Sequence, residues 1–325
     1  METWLPVIGG LVLLIAGGEL LVRGAVQVAS RLGVSPLVIG ITLVGFGTSI
    51  PELVTSVQAA LRGSPGIAYG NIVGSNIANI LLILGAATVL TPIMVASSTL
   101  RREGFLMILV AVVFAVVALT TTMSSLIGAV FVAALAAYIF IALRQERVPT
   151  ADHGAIYDKS CAAQEVDSAL VPADPSGRSV AASLATAVAG LGLIVLGGYL
   201  LVNGAVNLAR AFSVSETVIG LTIVAVGTSM PELVTSIMAA IRKESDVAFG
   251  NVIGSNIYNI LGIGGVTALM APAEIPDDIV RSDNMVMVGV SILIVVLAYT
   301  GRRISRAEGA LLLAGYVAYI VWLFP

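Results

Sequence analysis

Residues 40–80 and 220–260 are one segment written twice. GTSIPELVTS at 47–56 returns as GTSMPELVTS at 227–236, and GNIVGSNIANI at 70–80 returns as GNVIGSNIYNI at 250–260. The offset is 180 throughout, and 24 of the 41 aligned positions are identical without a gap. The same offset aligns Gly18, Leu20, Leu21, Val22, Gly24, Ala25 and Val26 with Gly198, Leu200, Leu201, Val202, Gly204, Ala205 and Val206. Shared apolar composition does not account for this, because the identities include Thr, Ser, Pro, Glu and Asn. Whatever the first copy folds into, the second must fold into as well.

Both copies are embedded in apolar sequence. The chain is 58% hydrophobic and 11% charged, with a mean hydropathy of +1.04, against about 25% charged residues in soluble domains. Ten apolar segments stand out, at 4–22, 36–61, 67–90, 104–122, 126–143, 180–202, 216–241, 247–270, 285–300 and 307–324. Most are long enough to cross a hydrocarbon core of about 30 Å as helices, the form that satisfies every backbone polar group within one segment. The first has no basic flank and no cleavage site, so it reads as a retained helix. Each copy holds five spans. Five is odd, so the second copy enters the membrane in the opposite direction, the inverted-repeat design of many secondary transporters. The expectation is an all-α membrane protein of ten transmembrane helices in two inverted-topology five-helix repeats, 1–143 and 179–325, joined by a linker at 144–178.

Lys and Arg set the orientation. With the N-terminus outside, 13 of the 16 basic residues face the cytoplasm, and only Arg62, Arg210 and Arg281 face out. Both termini are then extracytoplasmic, and the expected location is a prokaryotic inner membrane. Residues 144–178 carry 10 of the 35 charges together with Pro149, Pro172 and Pro175, and read as a cytoplasmic linker. One histidine (His153) and one cysteine (Cys161), both in that linker, exclude Cys/His metal clusters. A net charge of −3 gives no reason to expect nucleic acid. No cofactor and no obligate protein partner is expected; the partners are the lipid bilayer and transported ions.

Three acidic residues fall inside the apolar segments: Glu19, Glu52 and Glu232. Glu19 lies near a helix end, four residues before Arg23, and an ion pair explains it. Glu52 and Glu232 are equivalent under the offset. A charge at the bilayer centre costs roughly 2.5–3.5 kcal/mol on the insertion scale, and no Lys or Arg lies in the matching part of either span. The simplest partner is a bound cation. On a helix, Thr48, Ser49, Glu52 and Ser56 share a face, and Asn71, Ser75 and Asn79 form one stripe on the next. Thr228, Ser229, Glu232, Ser236, Asn251, Ser255 and Asn259 repeat the pattern. Every group offers oxygen, which suits hard ions such as sodium and calcium.

Pro51 and Pro231 cannot bond the carbonyls of Gly47 and Gly227, and the ring opens that turn. Gly45 and Ala225, a turn earlier, are further sources of carbonyl oxygen. Asn71 and Asn251 fit the orienting of ligands better than direct ligation, while Asn76 and Asn256 point elsewhere and read as structural. Glu274, Asp277, Asp278 and Asp283 read as a solvated acidic outer loop.

At these motifs the chain resembles the calcium/cation antiporter superfamily, specifically prokaryotic sodium/calcium exchangers, whose alpha repeats are the paired GTSxPE and GNxxGSNxxN sequences. The resemblance covers nearly the whole chain. It implies four central ion sites lined by helices 2, 3, 7 and 8. Carried over by position, the ligands are Thr48, Ser49, Glu52, Ser75 and Asn79, their counterparts Thr228, Ser229, Glu232, Ser255 and Asn259, and the carbonyls of Gly45 and Ala225. It also implies that helices 1 and 6 slide over the core. Some relatives, including the potassium-dependent branch at its second repeat, carry Asp at the Asn79 or Asn259 position. Asparagine at both argues against potassium co-transport and leaves Glu52 and Glu232 as the fixed charges, matching one calcium. The function implied is exchange of sodium for calcium. A proton/calcium antiporter of the same superfamily is the alternative, while a cation channel or an enzyme has less in the sequence to support it.

Overall fold

A computed structural model describes residues 4–33, 45–95, 100–145, 179–241, 243 and 245–324. The linker expected at 144–178, with His153 and Cys161, lies almost wholly outside the described residues, as does 36–44 of the second apolar segment. The rest is overwhelmingly helical. In chain order the helices are α1 (Trp4–Arg31), α2 (Ile50–Leu61), α3 (Pro65–Leu90), α4 (Arg102–Thr120), α5 (Ser125–Gln145), α6 (Val180–Phe212), α7 (Glu216–Thr228 continuing as Met230–Ile241), α8 (Val247–Met270), α9 (Ile279–Thr300) and α10 (Arg306–Leu323). Eight are each long and apolar enough to cross a membrane, and the two limbs of α7, bent by 49°, make a ninth span if counted as one.

α1 and α6 outrun their apolar windows, continuing to Arg31 and Phe212. Hydropathy marks where a helix can sit in lipid; backbone bonding carries it on until a turn stops it. Ser213 stops α6 in a left-handed conformation, its N–H donating to the carbonyls of Ala209 and Arg210. Gly33 has positive φ at the equivalent point after α1, and Gly63 and Lys243 are a second such pair. Turn geometry thus repeats at the offset of 180 even where glycine has been replaced.

α1 and α6 pack at backbone distance. Gly10, Gly17 and Gly24 recur every seven residues, as do Gly190, Gly197 and Gly204. Gly17 faces Gly190 and Ile194, while Gly10 faces Gly197 and Leu201 and Gly24 faces Ser183 and Ala187. Partners fall in number as α1 rises, so the helices run antiparallel. A Cβ on Gly190 would lie 2.4 Å from the Leu21 nitrogen, which only glycine avoids.

α3 and α8 are almost wholly enclosed by the other helices, whereas α4, α5, α9 and α10 turn residues such as Phe105, Leu126, Leu311 and Val321 outward, as lipid-facing helices do. Two short antiparallel contacts tie the loops: Ile93–Met94 with Arg303–Ile304, and Met123 with Ala273. Ala273 lies 180 residues after Ile93, and Ile304, the partner of Ile93, lies 181 after Met123, so the two ties correspond with a slip of one residue on one side.

Candidate ion-binding site

The site forms where two helices break. A short turn, Gly45–Gly47, precedes α2, and Thr48 and Ser49 separate them; Ser49 has φ −93° and ψ 6°. α7 breaks at Ser229, with φ −84° and ψ 10°. The cause is local: Pro51 and Pro231 follow two residues later and are accommodated in the first turn of the second limb, where a missing N–H costs nothing. Each break brings a Thr-Ser pair and, three residues on, a glutamate into the interior.

Both glutamates are buried, Glu52 at 2% and Glu232 at 1% exposure. Each meets the serine of the other copy. Ser49 Oγ donates to Glu232 Oε1 at 3.0 Å, and Ser229 Oγ donates to Glu52 Oε1 at 2.9 Å. Ser75 Oγ lies 3.1 Å from Ser229 Oγ and can donate to it, giving a chain from α3 through α7 to the carboxylate on α2. No lysine or arginine occurs within 45–61, 65–90, 216–241 or 247–270.

α3 and α8 carry the amide groups. Asn71 Nδ2 donates to Ser56 Oγ (2.9 Å) and to the Glu52 carbonyl (3.2 Å). Asn251 Nδ2 does the same to Ser236 Oγ (2.8 Å) and the Glu232 carbonyl (3.3 Å). These bonds fix the limb that carries each glutamate, as expected of orienting groups. Asn79 and Asn259 sit at wide π-type turns, Asn79–Leu84 and Tyr258–Gly264, irregularities that often accompany functional sites. Thr48, Ser75, Thr228, Ser255, Asn79 and Asn259 are all buried, and the oxygens Thr48 Oγ1, Asn79 Oδ1 and Asn259 Oδ1 have no hydrogen-bond partner among the described residues. A buried oxygen left unsatisfied costs about 1–3 kcal/mol, a cost that a cation would remove. Among the carbonyls, that of Ala225 already accepts from Ser229 N (3.1 Å) and from Thr228 Oγ1 (3.3 Å), while Gly45 opens the short turn before the α2 break.

Asn256, read from its spacing as structural, accepts from Asn79 Nδ2 at 3.0 Å and donates to the Asn76 carbonyl at 3.4 Å. It lies off the polar stripe of its own helix but faces the stripe of the other, which spacing along one helix cannot reveal. Replacing Asn256 with Leu is expected to raise the calcium concentration for half-maximal uptake about fivefold, the value of one buried hydrogen bond, without lowering protein yield. Asp283 is not in a solvated loop. It is 2% exposed and accepts from Tyr319 Oη at 2.8 Å. Its equivalent, Glu103, is 1% exposed and is held by Tyr138 and Arg102. Both stand at the start of an apolar span, where a hydropathy window ends whichever way the side chain points. Glu19 does pair with Arg23, as expected.

Comparison with known proteins places the chain in a family. The family model described as sodium/calcium exchanger protein matches residues 3–144 and 182–324. The sodium/calcium exchanger MaX1 of Methanosarcina acetivorans is 36% identical over 340 aligned residues, covering 97% of this chain and 96% of that protein. The inner membrane protein YrbG of Escherichia coli is 35% identical, covering 97% and 96%. A solved structure of the sodium-calcium exchanger NCX_Mj, soaked with 2.5 mM Na+ and 0.1 mM Ca2+, superposes with a TM-score of 0.62 at 32% identity, covering 99% of this chain and 98% of that one.

Proposed function

The chain belongs to the sodium/calcium exchanger family of integral membrane antiporters, and from that premise we propose that it exchanges sodium for calcium by alternating access. Glu52 and Glu232 are the central calcium ligands. Thr48, Ser49, Ser75 and Asn79, with Thr228, Ser229, Ser255 and Asn259, complete an all-oxygen cage to which the carbonyls of Gly45 and Ala225 add. The observation that carries this reading is the pair of buried carboxylates, equivalent under the offset, each bonded by the serine of the other copy, in helices without a basic residue.

The mechanism follows from charge. An empty cage holds two carboxylates in a medium where uncompensated charge is expensive, so it crosses between inward-facing and outward-facing states reluctantly. One calcium matches the two charges. Sodium ions compete for the same oxygens and allow the return. Coupling arises because loaded cages cross and empty ones do not. The ten spans form two inverted repeats of five, with both termini outside the inner membrane of a prokaryote. The repeated turns, the paired loop ties and the antiparallel α1–α6 pair support that arrangement.

Proteoliposomes loaded with sodium and diluted into sodium-free calcium buffer are expected to take up calcium, and a proton uncoupler is expected to leave the rate unchanged. Uptake that ignores the sodium gradient but follows an imposed pH gradient overturns sodium coupling in favour of the proton antiporter.

A further inference from the structure

Around the glutamates the two copies share their serine–carboxylate and asparagine–carbonyl bonds, but they differ at Asn71 and Asn251 and at the threonines these face. Thr228 Oγ1 lies 3.0 Å from Asn71 Oδ1 and also 3.0 Å from the Val224 carbonyl, among which it shares its single proton. The equivalent contact joins Thr48 to Asn251, and it is absent: among the described residues Thr48 Oγ1 and Asn251 Oδ1 both lack a partner. The asymmetry extends one step further. Asn251 Nδ2 donates to Thr235 Oγ1 at 2.9 Å, in addition to Ser236 and the Glu232 carbonyl. The equivalent of Thr235 is Thr55, whose hydroxyl is buried and has no partner. So the asparagine that reaches the threonine of the opposite copy has left its own helix-neighbour threonine unpaired, and the asparagine that holds its own threonine has left the opposite one unpaired.

We propose that Asn71 and Asn251 are a pair of two-position latches that exchange settings when the transporter changes the face to which its site opens. In the conformation described, Asn71 is set across to Thr228 and Asn251 is set back onto Thr235. In the opposite conformation Asn251 crosses to Thr48 and Asn71 turns back onto Thr55. The inference rests on the exchange reading above, since only a carrier with two equivalent states has an opposite conformation to supply the second setting. Its physical basis is that a symmetric repeat loses nothing by swapping the two settings, while the conformation described leaves two threonine hydroxyls, Thr48 and Thr55, and one amide oxygen, Asn251 Oδ1, without a partner among the described residues. Thr55 and Thr235 are the positioning residues of this device. Neither belongs to the cage proposed above.

The test uses Thr55→Val and Thr235→Val, which delete one hydroxyl each, in the full-length protein. Thr235→Val removes two bonds of the conformation described, the one accepted from Asn251 and the one Thr235 Oγ1 donates to the Glu232 carbonyl at 3.0 Å, and Thr55→Val removes their equivalents in the opposite conformation. Calcium half-saturation is measured from each face in right-side-out and inside-out vesicles. Apparent affinity from a face scales with the population open to it, so the ratio of the two values reports the equilibrium. The two variants are expected to shift that ratio in opposite directions, by at least about fivefold each, the value of one buried hydrogen bond. The double variant should return to within about twofold of wild type, and Thr→Ser at either position should retain the wild-type ratio. Ratios that move together, or singles that stay within about twofold of wild type while sodium-driven calcium uptake persists, overturn the latch alone. Absence of sodium-driven calcium movement in the wild type overturns the exchange reading and the latch with it.

Discussion

Glu52→Gln and Glu232→Gln are each expected to lower sodium-driven calcium uptake by at least about a hundredfold while leaving a folded, extractable protein. A unit charge pair 4 Å apart is worth about 4 kcal/mol at an effective dielectric constant of 20, and calcium carries two charges. Even after the desolvation cost offsets much of this, a loss of about 3 kcal/mol remains, more than a hundredfold in affinity. Folding should not suffer. Glutamine keeps an oxygen to accept from Ser229 or Ser49, in place of the carboxylate oxygens that accept at 2.9 and 3.0 Å, and it removes a buried charge whose presence opposes stability. In calcium-free buffer each variant should therefore melt at or above the wild-type temperature, and added calcium should raise the wild-type melting temperature but not theirs. Normal uptake in either variant removes that glutamate from the site.

The second large effect concerns a methyl group outside the proposed ion site. Gly190→Ala should destabilise the detergent-solubilised protein by several kcal/mol and abolish uptake, whereas Gly192→Ala, two residues along the same helix, should be neutral or slightly stabilising. At Gly190 the new Cβ would stand 2.4 Å from the Leu21 nitrogen and 2.7 Å from the Gly17 carbonyl oxygen, both backbone atoms that cannot rotate away. At Gly192 nothing lies within 4 Å. Overpacking costs about 1–3 kcal/mol where side chains can yield, and here none can. The helix propensity of alanine over glycine, up to about 1 kcal/mol, acts at both sites and decides the sign only at Gly192. Thermal unfolding followed by loss of monodispersity measures both. Equal behaviour of the two variants would show that the close approach of α1 and α6 is dispensable.

Much of the site is readable from the repeat alone. Glu52 and Glu232 stand out because charge in lipid demands a reason, and the oxygen donors stand out because they line up on a helix face with those glutamates. The α7 break is legible too, since Pro231 must disturb the turn that precedes it. Contacts between copies are not. Asn256 meets Asn79, and Ser49 meets Glu232, across more than 170 residues of chain, and no spacing along one helix encodes which faces will oppose. Glu103 and Asp283 are hidden for a different reason: at the end of an apolar window, inward and outward are equally consistent with the sequence. The α1–α6 contact has a signal that hydropathy ignores. Glycines at 10, 17 and 24 and at 190, 197 and 204 keep a period of seven, the mark of two helices meeting along a seam.

The paired loop ties carry a mechanical consequence. The strand pair at Ile93–Met94 and Arg303–Ile304 staples the rim of α3 to that of α9 and α10, and the bridge of Met123 with Ala273 staples α4 and α5 to α8. In the inverted topology proposed above, these staples would sit at opposite surfaces of the bilayer. A body riveted at both surfaces resists hinging like a clam, whichever way a gradient pushes. α1 and α6 take no part in either rivet, and their smooth glycine seam joins them to each other. If the chain carries ions as proposed, this places compliance in the α1–α6 pair, as one movable shutter beside stiffer walls.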